Sequence, residues 1–140
     1  MKQDTLRTLT VVLLLQTFWP TLILAQTPSS ASPSGIVTTL QGQATVTHVA
    51  RPQEPVALQF RDPVFGRDRI STRERSIVRV LLGGKALVTV RELSELTITE
   101  ELGRPSIVDL ANGKIALAVA RSRMRPGEAI EVRTLSLIHI

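Results

Sequence analysis

The sequence contains no cysteine, no tyrosine, one tryptophan, three phenylalanines and two histidines in 140 residues. Without cysteine, the chain has neither a disulfide nor a thiolate metal site. Carbohydrate sites and nucleic-acid stacking platforms usually present aromatic faces, and beyond the first 25 residues only Phe60 and Phe65 supply them. The scarcity of aromatic residues therefore argues against both kinds of binding.

Imidazoles are equally scarce. His139 belongs to the last six residues, which we expect to be non-native. His48 is therefore the one histidine available to a catalytic site in the folded region. A Ser-His-Asp triad would have to use His48 without any local nucleophile motif. The acid pairs lack a neighbouring histidine: Glu92 with Glu95, and Glu100 with Glu101. We therefore expect no catalytic residue, no cofactor and no metal site, with His48 as a surface or packing residue.

What the chain does have is small aliphatic residues and positive charge. Hydrophobic residues make up 43% of the sequence, and the core must be built from valine, isoleucine, leucine and alanine. This length fits one domain. The net charge of +5 permits an acidic partner or an anionic surface without requiring either.

Residues 1–25 have the order of a secretory signal peptide. Lys2 and Arg7 form a basic beginning, an apolar run follows, and Ala25 provides a small residue for cleavage before Gln26. We expect export to the periplasm or to the outside of the cell.

An uncleaved membrane anchor is the alternative. The apolar run over residues 9–24 is slightly short for a membrane span and is interrupted by Gln16 and Pro20. Membrane contact is therefore expected only through this segment, and only if it stays uncleaved. Residues 26–34 are rich in proline and serine and read as a linker, which places the start of the folded domain near Gly35.

Residues 65–90 predict the central feature of the chain, two strands joined by a tight turn after a charged loop. Gly83-Gly84 supplies two residues free to adopt positive φ, as a two-residue hairpin turn requires. Residues 86–90 form the returning strand. The first strand alternates, with one face formed by Ser76, Val78, Val80 and Leu82 and the other by Ile77, Arg79 and Leu81.

This stretch resembles the FecR-domain family of periplasmic regulators. The family pattern has a short Gly-ended strand pair, a G-D-x-I-x-T loop and a serine-led hairpin. Residues 35–42, 67–72, 76–82, Gly84 and 87–90 follow it, except that Arg67 replaces the usual glycine and Gly83 the usual aspartate. The likeness extends over residues 35–134.

The resemblance implies an all-β domain that senses or scaffolds in the cell envelope. The best-known members relay a signal from an outer-membrane receptor to a sigma factor. Only about ten residues precede the apolar run here, and the receptor-contacting domain of those proteins is missing. We therefore do not expect anti-sigma activity.

Further strands are predicted on both sides of the hairpin. Before it, residues 36–40 and 44–49 form a strand pair around Gln41-Gly42, and residues 56–60 form a short strand. After it, Leu93, Leu96 and Leu102 could mark a helix face within residues 91–102, but the alternation of residues 97–99 and the FecR resemblance favour a strand at residues 96–100. A last strand is expected at residues 129–134. Turns every 8 to 12 residues or so indicate an all-β fold of short antiparallel strands and hairpins, in a sandwich or a solenoid-like stack.

Two more turns are predicted near the end of the domain. Asn112-Gly113 is a strong hairpin signal between residues 107–110 and 114–120. The second of these strands carries alternating alanines, which predicts close packing of that face against another layer. Pro126-Gly127 fits a type II turn.

Arginines are the candidate partner-binding residues: Arg67, Arg69, Arg73, Arg75 and Arg79. Guanidinium groups bind carboxylates and phosphates well. Arg73, Arg75 and Arg79 share one strand face if the strand begins early. A solvated strand edge is the alternative interpretation, and the interleaved acids favour it. Arg121, Arg123 and Arg125 would similarly lie on one side of an extended segment. Nucleic acid is not expected, because export and missing aromatics oppose it.

We therefore expect an exported, non-catalytic binding, sensing or scaffolding module of the cell envelope. An envelope protein is the expected partner, and a cell-wall or surface polysaccharide is the alternative. Residues 135–140 are expected to be a non-native tail, because their back-translation resembles a sequencing-library adapter and departs from the family pattern after Thr134.

Overall fold

The computed structural model describes residues 31–101 and 104–134. The predicted leader, the cleavage point at Ala25 and Gln26, and the predicted tail lie outside the described residues. Within them, no helix is long and apolar enough to cross a membrane.

Two β-sheets contain almost all of the regular structure. Sheet A has five strands in the order β10-β7-β6-β1-β4, and sheet B has six in the order β11-β9-β8-β5-β2-β3. The strand bounds are β1 Gly35–Gln41, β2 Ala44–Thr47, β3 Val56–Ala57, β4 Pro63–Val64, β5 Arg69–Thr72, β6 Ile77–Leu82, β7 Ala86–Val90, β8 Glu95–Thr99, β9 Ser106–Asn112, β10 Ile115–Val119 and β11 Ile130–Thr134. The all-β prediction is confirmed.

The inner faces of the two sheets form one core of small aliphatic side chains. Alternation places every second residue of a strand inside, which is why β6, β7 and β8 each bury every second residue. The fully buried side chains include Val64, Ile70, Val78, Val80, Val88, Val90, Leu96, Ile98 and Val108. A core without aromatic residues follows directly from the composition.

The central hairpin is confirmed. Gly83 and Gly84 have φ of 53° and 69°, and the N–H of Lys85 donates to the carbonyl of Leu82 at 3.0 Å. Ser76 shares the buried face of the first strand with the valines that follow it. Both positive φ values belong to the turn type that matches the twist of paired strands.

The other two predicted hairpins are wrong. β1 pairs with β6 and β4, whereas β2 pairs with β5 and β3. Likewise β9 pairs with β8 and β11, whereas β10 pairs with β7. Gly42 and Gly113, with φ of 78° and 89°, instead bend the chain from one sheet into the other. A local turn signal cannot reveal that distant strands will provide the hydrogen-bonding partners.

β10 also reverses the predicted packing of its two faces. Ala116 and Ala118 are exposed, while Ile115 and Leu117 are half-buried against the core. The larger apolar side chains point inward because their burial releases more water-exposed area than that of alanine.

The strands β9, β10 and β11 make one solenoid-like coil. β11 returns to sheet B and pairs with β9 in parallel, an exception to the predicted antiparallel arrangement. The type II turn is confirmed, since Gly127 has φ of 81° and the N–H of Glu128 donates to the carbonyl of Arg125 at 3.0 Å. Arg121–Arg123 form a 3-10 turn, so the expected extended row of arginines there is wrong.

Candidate functional site

Two corners between the sheets repeat the same short sequence. Arg73-Glu74-Arg75-Ser76 joins β5 to β6, and Arg91-Glu92-Leu93-Ser94 joins β7 to β8, 18 positions later. Arg75 and Leu93 hold the third position with φ of 52° and 51°. Left-handed backbone at two equivalent non-glycine positions shows that the corners share one conformation.

The serine at the end of the first corner holds the bend after β1. Ser76 Oγ accepts the N–H of Gln43 at 2.9 Å and donates to the carbonyl of Glu74 at 2.9 Å. A Cβ on Gly42 would lie 2.8 Å from the carbonyl oxygen of Arg75, so this position must be glycine.

The serine at the end of the second corner does the same for the bend after β9. Ser94 Oγ accepts the N–H of Lys114 at 2.9 Å and donates to the carbonyl of Glu92 at 3.0 Å. A Cβ on Gly113 would lie 2.5 Å from the Cα of Ser94. Each serine therefore substitutes for a ladder partner where the chain leaves a sheet.

An approximate two-fold pattern relates the halves of the sandwich. Exchanging the sheets maps β1 and β2 onto β9 and β10, and maps β5 and β6 onto β7 and β8. The six pairings among these eight strands are preserved. The backbone N–H of Arg73 donates to Gln43 and that of Arg91 donates to Lys114, both at 3.0 Å. The R-E-x-S repeat is the sequence signal of this pattern.

The corners are bonded to each other as well. The N–H of Arg75 donates to Oε2 of Glu92 at 2.9 Å, and the N–H of Leu93 donates to the carbonyl of Arg73 at 3.3 Å. Buried Thr72 donates its hydroxyl to the carbonyl of Arg91 at 2.6 Å. The backbone that carries Arg73, Arg75 and Arg91 is therefore held in place by hydrogen bonds between the two corners.

An open groove of 810 Å³ runs beside the second corner. Three cations line it, Arg75, Arg91 and Lys114, and all three are exposed. None of them forms an ion pair with another residue in the described part of the chain. Glu92 is the single acid of the lining, and one of its oxygens already accepts a backbone N–H.

The floor of the groove is apolar. Ile77, Leu93, Ile115 and Ala116 contribute to it. Guanidinium groups around an apolar floor suit a partner carboxylate next to aliphatic side chains, because the fork of N–H donors matches two oxygens. This groove is the candidate site.

A second groove of 570 Å³ occupies the equivalent place beside the first corner. Arg73 and Glu74 are its charged residues, and its remaining lining is mostly polar. One cation and one acid give no net attraction for an anion, which makes this groove the weaker candidate.

The five arginines proposed from the sequence do not gather into one patch. Only Arg75 lines the larger groove and only Arg73 lines the smaller one. Arg69 and Arg79 are exposed on the outer faces of different sheets, and Arg67 is 3.8 Å from the carboxylate of Glu101.

The shared strand face expected for three of these arginines is wrong. β6 begins only at Ile77, after the corner formed by Arg73 and Arg75. Sequence reasoning missed Arg91 and Lys114, which the repeat pairs with Arg73 and Gln43.

A histidine and a buried carboxylate meet at a distance from the groove. His48 Nδ1 lies 2.9 Å from Oδ1 of Asp68, and no hydroxyl of the described residues is hydrogen-bonded to the His48 ring. The pair resembles the histidine and aspartate of a Ser-His-Asp triad, but no serine hydroxyl among the described residues is bonded to the histidine. The described residues also contain no group of three or more histidine, cysteine, aspartate or glutamate side chains that could hold a metal ion.

The exposed face of β11 carries an ion pair between Glu131 and Arg133. Arg133 Nε donates to Oε1 of Glu131 at 2.8 Å. This hydrogen bond lowers the pKa of Glu131 and raises that of Arg133, because it stabilises both charged forms.

The comparisons with known proteins give no relative from which a role for these residues could be taken: no family model, no curated protein and no solved structure matches the chain.

Proposed function

We propose that the protein is an exported, non-catalytic binding module of the cell envelope, acting in sensing or scaffolding. The observation that supports this most directly is the groove in which Arg75, Arg91 and Lys114 surround an apolar floor. Three cations against the single acid Glu92 attract an acidic partner and orient its carboxylates.

The N-terminal sequence supports action outside the cytoplasm. Residues 1–25 have the basic, apolar and small-residue order of a signal peptide, and the chain contains no cysteine that would need a redox partner outside the cytoplasm. The resemblance of residues 35–134 to FecR domains agrees with a role in the envelope.

An envelope protein fits the groove better than a neutral polysaccharide. Sugar rings usually stack on aromatic faces, and no aromatic residue lines the groove. The charges of the groove instead match glutamate and aspartate side chains, with the apolar floor covering neighbouring aliphatic groups.

The experiment compares three forms of the exported protein, purified from the periplasm and immobilised. These are wild type, the groove variant Arg75→Ala/Arg91→Ala, and the control Arg51→Ala/Arg104→Ala. The control removes the same charge from exposed arginines outside the groove lining. Each form is incubated with detergent-solubilised envelope proteins and, separately, sedimented with peptidoglycan.

We expect wild type and control to retain the same envelope protein, and the groove variant to lose it. Retention should also weaken with added salt, since the contact is between exposed charges. Equal retention by all three forms would refute the groove as the binding site. Sedimentation with peptidoglycan without any retained protein would favour the polysaccharide function instead.

A further inference from the structure

The four sheet edges are protected very unequally. β3 and β4 have two residues each, Pro55 precedes β3, and β4 begins with Pro63. β11 is longer and carries the Glu131–Arg133 ion pair. Short strands, prolines and charges are the usual means of preventing edge-to-edge pairing.

Within the described residues, β10 has none of these protections and no strand on its outer side. Its sequence, Ile-Ala-Leu-Ala-Val, contains no charge and no proline, and its pairing with β7 is regular over all five residues. A flat, apolar edge of this kind is a template for another strand.

Its free backbone groups can be identified from the pairing with β7. The N–H of Arg91 donates to the carbonyl of Lys114 at 3.0 Å, and that of Ala120 to the carbonyl of Lys85 at 2.8 Å. Because hydrogen-bonded pairs alternate along an antiparallel ladder, the even-numbered residues bond to β7. The N–H and C=O groups of Ile115, Leu117 and Val119 therefore point to the open edge.

The inner face at this end of the sandwich is incompletely covered. Sheet B has one strand more than sheet A, and β10 and β11 are edge strands of their sheets. Val119 is 36% exposed and Val132 is 41% exposed, although both lie on inner faces. A strand added beside β10 would place its own inward side chains over these two valines.

Basic residues stand at both ends of this edge. Lys114 precedes β10 and Arg121 follows it, and neither forms an ion pair with any residue that the structure describes. A second copy paired antiparallel about Leu117 would bring Lys114 of each copy beside Arg121 of the other, which is repulsive. An acidic segment meets no such repulsion.

We propose that β10 is a docking edge for an extended segment of a partner protein, apolar at alternate positions and acidic at both ends, which adds a sixth strand to sheet A. The main-chain bonds to Ile115, Leu117 and Val119 supply affinity, and the apolar positions and terminal acids supply specificity. This edge adjoins the cationic groove, because Lys114, Ile115 and Ala116 also line that groove, whereas Arg75 and Arg91 belong to the groove alone.

The probe is a fluorescein-labelled nonapeptide, Glu-Glu-Val-Thr-Val-Thr-Val-Glu-Glu, followed by fluorescence anisotropy with the full chain. In the added strand its valines would lie opposite Ile115, Leu117 and Val119, with their N–H groups toward β10. N-methylation of the central valine should weaken binding roughly tenfold or more, since it removes a main-chain bond and adds a clash. N-methylation of a threonine, whose N–H faces solvent, should change it much less.

Protein variants test the same geometry from the other side. Val119→Pro removes an N–H that points away from β7, so the fold should survive while peptide binding falls roughly tenfold. Val49→Pro is the matched control, because Val49 is the second residue of a turn closed by Arg51 N–H and His48 C=O at 3.0 Å. Far-UV circular dichroism should show both variants folded.

Charge reversal completes the test. The variant Lys114→Glu/Arg121→Glu should prefer a nonapeptide with lysine in place of every glutamate. Peptide binding that neither Val119→Pro nor N-methylation of the central valine weakens would overturn the proposal. A preference of the wild-type protein for the lysine peptide would overturn it as well. A wild-type dimer that Val119→Pro dissociates, seen by analytical ultracentrifugation, would assign the edge to a second copy instead. Equal retention of envelope protein by wild type and by Arg75→Ala/Arg91→Ala, with peptide binding intact, would contradict only the proposed function.

Discussion

His48 Nδ1 lies 2.9 Å from Oδ1 of Asp68, joining the end of β2 to the loop before β5. The second carboxylate oxygen of Asp68 accepts the N–H of Phe65 at 2.9 Å, and the residue is only 2% exposed. Phe65 also contacts the His48 ring edge-on, with centroids 6.2 Å apart. Because both oxygens of this buried carboxylate are hydrogen-bonded, Asp68 holds the loop before β5 against His48.

Replacing Asp68 with alanine should destabilise the domain by about 2–4 kcal/mol. The substitution leaves the N–H of Phe65 without its acceptor and removes the partner of His48, and an unmade buried hydrogen bond costs roughly 1–3 kcal/mol. Replacing His48 with alanine should cost less, about 1 kcal/mol or below, because its side chain is 36% exposed. Urea unfolding of both variants measures the difference, and an equal loss would contradict the central role of Asp68.

Glycine replacements should separate backbone strain from steric conflict. Gly84→Ala should cost about 1 kcal/mol, since φ is +69° but nothing lies within 4 Å of the new Cβ. Gly113→Ala should cost more than about 3 kcal/mol, because the Cβ also meets Ser94 at 2.5 Å from its Cα. Thermal midpoints of the two variants give the comparison. Similar midpoints would mean that Ser94 and Gly113 are not packed as described.

The two corner serines should have matching energetic roles. Ser76→Ala and Ser94→Ala each remove an acceptor from a bend N–H, that of Gln43 or that of Lys114. Each variant should lose about 1–2 kcal/mol of unfolding free energy. Chemical denaturation measures this free energy. A loss in one variant and none in the other would show that the two serines occupy equivalent positions but do not contribute equally to stability.

Export should leave a mature N-terminus at Gln26. The order of charges and apolar residues in the first 25 positions resembles a cleaved leader. Mass spectrometry of the protein from a periplasmic fraction checks this. An intact Met1 in a membrane fraction would instead indicate an anchored domain.

The sequence alone was sufficient for the local features of the fold. Alternation of apolar and polar residues marked β6, and β-branched and aliphatic residues marked β7, because one face of each strand must be apolar to pack on a core. The Gly83-Gly84 turn and the Pro126-Gly127 turn followed from the φ values that those residues allow. Each of these features depends on neighbours within a few positions.

Strand pairing was decided only by the tertiary structure. Gly42 and Gly113 read as hairpin glycines, yet at each the chain passes from one sheet to the other, so that β1 pairs with β6 and β2 with β5, while β9 pairs with β8 and β10 with β7. Periodicity defines which face of a strand is apolar and says nothing about which strand lies beside it. The nearest-neighbour pairing that turn residues suggest therefore failed at both bends.

The candidate groove shows the same division. The excess of arginine was visible in the sequence, but the predicted set of five is divided between two sheets and two corners. Arg75, Arg91 and Lys114 are neighbours only because Ser94 fixes the bend at Gly113 and Glu92 bonds to the backbone of Arg75. The sequence determined which side chains are available, and the crossing of the chain between the sheets, stabilised by burial of one shared core, decided which of them meet.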